Sequence, residues 1–157
     1  MDISTILNVK HIKLNMVART KEEAIEELTD LLVQDRSVIN KAQFLRDVWL
    51  REAQGPTGFE NHIAIPHGES SAVNHTTLAI GRTQHGISWE TMDGCDIRCI
   101  ILYAIRFQEE NTHHLRLLTQ VSSALADDEI IAQLLEENDP NRIVEIFNIP
   151  AEVDDQS

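Results

Sequence analysis

Residues 58–68 read Gly58-Phe59-Glu60-Asn61-His62-Ile63-Ala64-Ile65-Pro66-His67-Gly68, and the way this stretch is divided decides how the rest of the chain is read. Ile63-Ala64-Ile65 reads as a short strand. Pro66 fixes its own φ, has no N–H for a ladder, and pushes Ile65 into an extended conformation. The strand is therefore expected to halt at Pro66, with His67 the first residue of a loop and Gly68 leaving its surroundings open. Strand ends that carry loops are where α/β proteins build sites. Imidazole, with an ordinary pKa of about 6.5, is largely neutral at pH 7, so a ring nitrogen of His67 is free to attack phosphorus. From chemistry alone, a surface histidine in a turn fits the stretch equally well.

Working outward, Gly55, Pro56 and Gly58 mark Gln54–Asn61 as a loop. Before it, a helix is expected from about Asn40, with Phe44, Leu45, Val48 and Trp49 as its apolar stripe. An earlier helix, Lys21–Gln34, opens on a Thr20–Glu23 capping box and carries Ala24, Ile25, Leu28, Leu31 and Leu32 on one face. Downstream, Thr77–Arg82 and Arg98–Arg106 read as strands, the second nearly all apolar and so central. His11–Met16 is a further candidate strand. Helices are expected over about Thr112–Ala126, Asp128–Glu137 and Arg142–Phe147. Helices interspersed with strands predict an α/β layered architecture in a single domain, residues 1–149, followed by an acidic tail, 150–157.

The chain has 157 residues, enough to bury about 70% of the surface its unfolded form would expose. Its formal charge of -13 argues against nucleic acid and against an anionic membrane surface, both of which need Lys and Arg clusters. It favours partners with a basic face, and it equally serves solubility. Cys95 and Cys99 form no disulfide framework and read as buried small hydrophobes in a reducing compartment. No secretory signal is visible, and the longest apolar run, Cys99–Ile105, is too short to span a bilayer. The expected location is the cytoplasm, without membrane insertion.

His114 is a second candidate. With Leu118, Val121 and Leu125 it falls on one helical face, which turns it inward from the first turn while His113 points away. A helix N-terminus disfavours imidazolium, and a neutral ring can donate one hydrogen bond and accept another, which suits a group that orients a phosphohistidine. The competing reading is a core histidine satisfied by a carbonyl. Arg51 and Glu52 close the second helix at and beside its apolar stripe. Arg51 can neutralise phosphoryl oxygens with its planar fork, held in place by Glu52; a frayed helix end with both side chains solvated is the alternative. Phosphate-binding loops, dinucleotide fingerprints, nucleophile elbows and the H-E-x-x-H metal pair are all missing. A zinc site using His62, His67 and His114 is the rival that seven histidines leave open, and a purely structural domain is another.

Arg51-Glu52, Gly55-Pro56-Thr57-Gly58, Asn61 and Ile63-Ala64-Ile65-Pro66-His67-Gly68 together closely resemble the enzyme IIA domains of the fructose/mannitol class, which belong to the bacterial phosphoenolpyruvate-dependent sugar phosphotransferase system. In that family an Arg-Glu pair precedes a Thr-Gly turn and the motif ends in I-A-[IV]-P-H. Arg51 and His67 are sixteen residues apart, as the pattern requires. His114-Leu115, continuing through Leu117, Leu118, Val121 and Leu125 to Ala126-Asp127-Asp128, matches the family's later helix, and the resemblance runs from about Ile3 to Ile149.

The resemblance implies a mixed β-sheet flanked by helices and a phosphorylated His67, through Nε2. It implies phosphorylated HPr, the system's small phosphocarrier protein, as donor and an enzyme IIB domain, usually at a cysteine, as acceptor. Arg51 and His114 would stabilise the transferring group, with Glu52, Thr57 and Asn61 as loop support, and neither metal nor cofactor is implied. His62 stands where relatives often carry a small or polar residue. The chain holds one domain, so its acceptor is expected on another polypeptide. Nitrogen-regulatory relatives, in which the phosphorylation state of this histidine controls binding to other proteins, supply the second expectation.

Overall fold

The computed structural model describes residues 7–107 and 111–147, and the side chains of residues 111–115 and 117 also lie outside that description. In chain order the elements are β1 (Ile12–Met16), α1 (Lys21–Gln34), α2 (Lys41–Gln54), β2 (Ile63–Ala64), β3 (His67–Ser70), β4 (Thr77–Ile87), β5 (Ile97–Arg106), α3 (Asn111–Leu125), α4 (Asp128–Glu136) and α5 (Pro140–Ile146). The tail expected over 150–157 lies outside the described residues.

Helix starts follow local chemistry. The Thr20 hydroxyl accepts from the Glu23 N–H at 3.1 Å, and the Glu23 carboxylate accepts from the Arg19 N–H at 2.9 Å. The capping box thus closes one residue earlier than the usual reciprocal pair. Asn40 caps α2 by accepting from the Gln43 N–H at 3.0 Å.

The strands form one mixed sheet in the order β1-β4-β5-β2, with β3 also on β5. β1 runs parallel to β4, β4 antiparallel to β5, and β5 parallel to both β2 and β3. Here the expectation for Pro66 is corrected. The chain does not leave the sheet at the proline. Ile63 pairs with Cys99 and His67 with Tyr103, an unchanged offset, so β2 and β3 are one edge line with a gap. The carbonyls of His62 and Pro66 accept from the N–H groups of Cys99 and Tyr103 at 3.0 and 2.9 Å. Alternate residues face the neighbouring strand in a parallel ladder, so Pro66 faces β5 and the rung it cannot donate makes the gap. His67 is therefore a strand residue rather than a loop residue.

β5 is buried on both faces, as its apolar run predicts. Cys99, Ile101, Tyr103 and Ile105 join a core with Val121 of α3 and Ile143 of α5. Ile100, Leu102 and Ala104 face the other core, with Leu28 of α1 and Phe44 of α2. Burial pushes the Cys99 thiol up to about 12. Cys95 is only half-buried, contrary to expectation, because it lies ahead of β5 rather than in it.

Gly68 sets the distance between α2 and the sheet edge. A Cβ there would lie 2.5 Å from Phe44 Cε1 and 2.7 Å from Val48 Cγ2, both in fully buried side chains. Gly68→Ala is therefore expected to destabilise the fold by about 1–3 kcal/mol through overpacking, measured as a lower urea midpoint.

His11, 2% exposed, ties the start of β1 to the end of α1: its Nε2 lies 2.5 Å from Asp35 Oδ2 and its Nδ1 3.1 Å from Thr77 Oγ1. Burial tends to raise the Asp35 carboxyl, but hydrogen bonds from Ser37 and His11 outweigh it and hold the group below its ordinary 3.8. A carboxyl depressed in the folded state stabilises above its unfolded value and loses that contribution as pH falls through the folded one. Asp35→Asn should lower the urea midpoint at pH 7, with the gap from wild type closing below pH 3.8; a gap that persists in acid would refute the ionic contribution.

Candidate functional site

The edge line places His67 half-buried on the same face as Tyr103. Their rings meet edge to face, with centroids 4.6 Å apart and planes at 62°. Tyr103 is 1% exposed, and burial pushes its hydroxyl well above the usual range, so a neutral, packed ring backs the imidazole.

Arg51 arrives from the other layer. It lies one turn beyond Val48, whose packing on Gly68 draws the end of α2 against the edge strand. Arg51 and His67 consequently line one cavity of about 300 Å³, with Asp47, Leu50, Glu69 and Ile105 also on its walls. Arg51 Nη1 donates to the Gly55 carbonyl at 2.8 Å, which fixes the guanidinium at the end of α2.

Glu52 does not hold Arg51 as expected from sequence. Its side chain is 4% exposed; Oε1 pairs with Lys21 Nζ at 2.6 Å and Oε2 accepts from the Thr57 hydroxyl at 2.5 Å. Buried Thr57 in turn accepts the Ile65 N–H on its carbonyl at 2.9 Å. Glu52 and Thr57 thus stand behind the strand gap, where they brace the residue before Pro66.

The turn into β2 contains two consecutive left-handed residues, Asn61 at φ 59° and His62 at φ 68°, of which Asn tolerates that region well. The turn folds residues 57–59 back along the outside of β2, with an antiparallel bridge between Gly58 and Ala64. A Cβ on Gly58 would lie 2.0 Å from the Glu90 carbonyl oxygen, so only glycine permits this approach. Asn61 is exposed and its N–H donates to Asp93 at 3.0 Å; it is not on the cavity wall. Phe59 packs inward against the core and braces the turn.

His62 Nδ1 lies 2.8 Å from Asp96 Oδ1 and 2.9 Å from the Asp96 carbonyl. Among the described residues no group of three His, Cys, Asp or Glu side chains is placed to hold a metal ion. His114 falls in the first turn of α3, but its side chain lies outside the described residues. Among those described, no helix is long and apolar enough to cross a membrane.

Two contributors escaped the sequence analysis. Tyr103 is the only tyrosine, set in an apolar strand, and that oddity was the available signal. Lys21 begins a helix whose N-terminus disfavours cations, which was the other.

The comparisons agree with this fold. The profile of the family described as "Phosphoenolpyruvate-dependent sugar phosphotransferase system, EIIA 2" matches residues 5–149. The PTS system fructose-specific EIIA component of Haloferax volcanii is 30% identical over 93% of this chain and 94% of that protein. EIIABC components of Escherichia coli and Bacillus subtilis, specific for 2-O-alpha-mannosyl-D-glycerate and fructose, are 33% and 32% identical over 92% and 94% of this chain. The chain spans only 22% and 23% of their length. Nitrogen regulatory protein IIA-Ntr of Neisseria meningitidis superposes with a TM-score of 0.84 at 26% identity, over 92% of this chain and 98% of that one. Enzyme IIA for mannitol of Escherichia coli, in complex with phosphorylated IIB, gives 0.74 at 25% identity, over 89% and 95%. With a family match over nearly its whole length, on a sheet and site of this shape, the chain belongs to the EIIA 2 family of the phosphoenolpyruvate-dependent sugar phosphotransferase system.

Proposed function

We propose that this protein is a cytoplasmic phosphohistidine carrier for fructose/mannitol-type sugar uptake. His67 takes a phosphoryl group from phosphorylated HPr and passes it to an enzyme IIB component. A nitrogen of the His67 ring attacks phosphorus in line while the donor's P–N bond breaks, its electron pair staying on the donor imidazole. Phosphoryl transfer asks for positioning and charge neutralisation more than for covalent help. In this reading Arg51 offsets charge on the equatorial oxygens and His114 orients the imidazole or the phosphate.

The observation that carries the reading is the shared cavity of Arg51 and His67 at the open sheet edge. Asp47 and Glu69 on the same walls, in a chain of charge -13, disfavour capture of a free polyanion. That supports delivery by a docked protein. The likeness to a mannitol IIA solved with phosphorylated IIB supports a IIB acceptor.

The test is phosphoryl transfer from phosphoenolpyruvate through enzyme I and HPr to the purified protein. Wild type should take up acid-labile, base-stable label and His67→Ala none; label on the alanine variant would refute the assignment. Arg51→Ala should slow labelling about 100-fold, the scale of losing one preorganised charge-stabilising donor, with its thermal midpoint within a few degrees of wild type. Normal transfer by Arg51→Ala would remove that residue from the mechanism. The likeness to a nitrogen regulatory IIA-Ntr supports a second reading, in which phospho-His67 regulates binding instead of feeding a transporter. Adding IIB separates the two: in transport the label leaves His67, in regulation it stays.

A further inference from the structure

Lys21 and Glu52 each stand against the dipole of their own helix. Lys21 is the first residue of α1, where backbone N–H groups concentrate positive charge, and Glu52 lies in the last turn of α2, among unpaired carbonyls. Their side chains are 17% and 4% exposed, so solvent screens neither well. Either charge alone would be costly there, and the two are retained together, Nζ to Oε1, at 2.6 Å. The ammonium also lies 5.1 Å from the ring centroid of Trp89 and 5.8 Å from that of Trp49, the chain's two tryptophans.

The position of this pair matters because Glu52 adjoins Arg51 in sequence. An unpaired carboxylate beside a guanidinium would seek it. Among the described residues Arg51 makes no ion pair, and its hydrogen bond goes to the Gly55 carbonyl. With Glu52 occupied by Lys21 and Thr57, Arg51 stays on the wall of the His67 cavity, bonded to the Gly55 carbonyl. The same carboxylate grips Thr57, and Thr57 grips Ile65, two residues before His67.

We propose that Lys21 is a positioning residue for phosphoryl transfer: by holding the Glu52 carboxylate it keeps that group off Arg51 and leaves the guanidinium directed at the His67 cavity. This rests on the carrier reading above. Lys21 touches no reacting atom; it acts through Glu52.

Transfer from phosphorylated HPr to the full chain tests it. Lys21→Met should lower the maximal rate about tenfold with the donor KM little changed, and tryptophan emission should shift as both indoles lose the ammonium. Lys21→Arg, which keeps the charge, should transfer near the wild-type rate. The deciding variant is Lys21→Met/Glu52→Gln. With the stranded carboxylate neutralised, it should recover most of the rate lost by Lys21→Met, a rescue that a lysine needed only for packing would not give. Lys21→Met as fast as wild type, or a double variant no faster than the single, overturns the proposal. Should Lys21→Met fail to fold, the double variant is compared with Glu52→Gln: equal rates support the proposal, and a further large loss overturns it. A wild type that takes no label overturns the carrier reading and this proposal with it, whereas a labelled wild type beside an indifferent Lys21→Met overturns the lysine's role alone.

Discussion

Pro66 faces β5, where its missing N–H removes one rung from an otherwise continuous parallel ladder. The loss is small, about 1 kcal/mol for one backbone hydrogen bond. The pairs on either side, Ile63 and Ala64 before the gap and His67 and Gly68 after it, hold one register and carry the strand across. That register assigns every face that matters. His67 shares a face with Tyr103, and Gly68 turns to α2. A slip of one residue would exchange them, putting the imidazole under Phe44 and the glycine at the cavity.

The two layers meet at the site because the strand that carries it is an edge. A histidine on a central strand would lie beneath helices. Here α2 approaches one face at Gly68, and its next turn overhangs the rim, so Arg51 from one layer and His67 from the other open on the same cavity. Small residues make this approach possible: Ala64, Ala79 and Ala104 line the α1/α2 side of the sheet, while Ile63, Tyr103 and Ile105 line the other. The electrostatics are arranged by the same contact. The last turn of α2 sends Arg51 to the cavity wall and Glu52 away from it, to Lys21 and Thr57.

What could be read from the sequence was what local chemistry decides. Thr20, Glu23 and Asn40 mark helix starts by hydrogen bonds within a few residues, so the starts of α1 and α2 were legible. The uninterrupted apolar run of β5 reports burial on both faces and needs no partner to be named. The I-A-I-P-H-G motif and its spacing singled out His67 and Arg51, and both line one cavity. Pro66 misled because a local rule registers the lost N–H and not the rungs that survive on either side. Glu52 misled because its partner stands 31 residues away in sequence, and a charge at a helix end offers its neighbour as the obvious mate. Tyr103 was hidden in plain apolar company; only the register with β3 brings it under His67.

An exposed strand edge is a hazard, since its unpaired N–H and C=O groups invite another chain. This protein covers part of the edge with its own chain. Residues 57–59 double back along β2, with Phe59 N–H donating to the Ile63 carbonyl and Ile65 N–H to that of Thr57. This pairing runs as far as Ile65, and Pro66 and His67 come next. The carrier role proposed above would need a histidine reachable from outside on an immobile backbone, and these demands conflict on a free loop. Pairing with β5 on one flank, Tyr103 beneath the ring and α2 against Gly68 supply the rigidity, and the half-buried imidazole on the cavity wall supplies the access. The proline that a local reading takes for the end of a strand is the boundary between the segment doubled by residues 57–59 and the segment that carries His67.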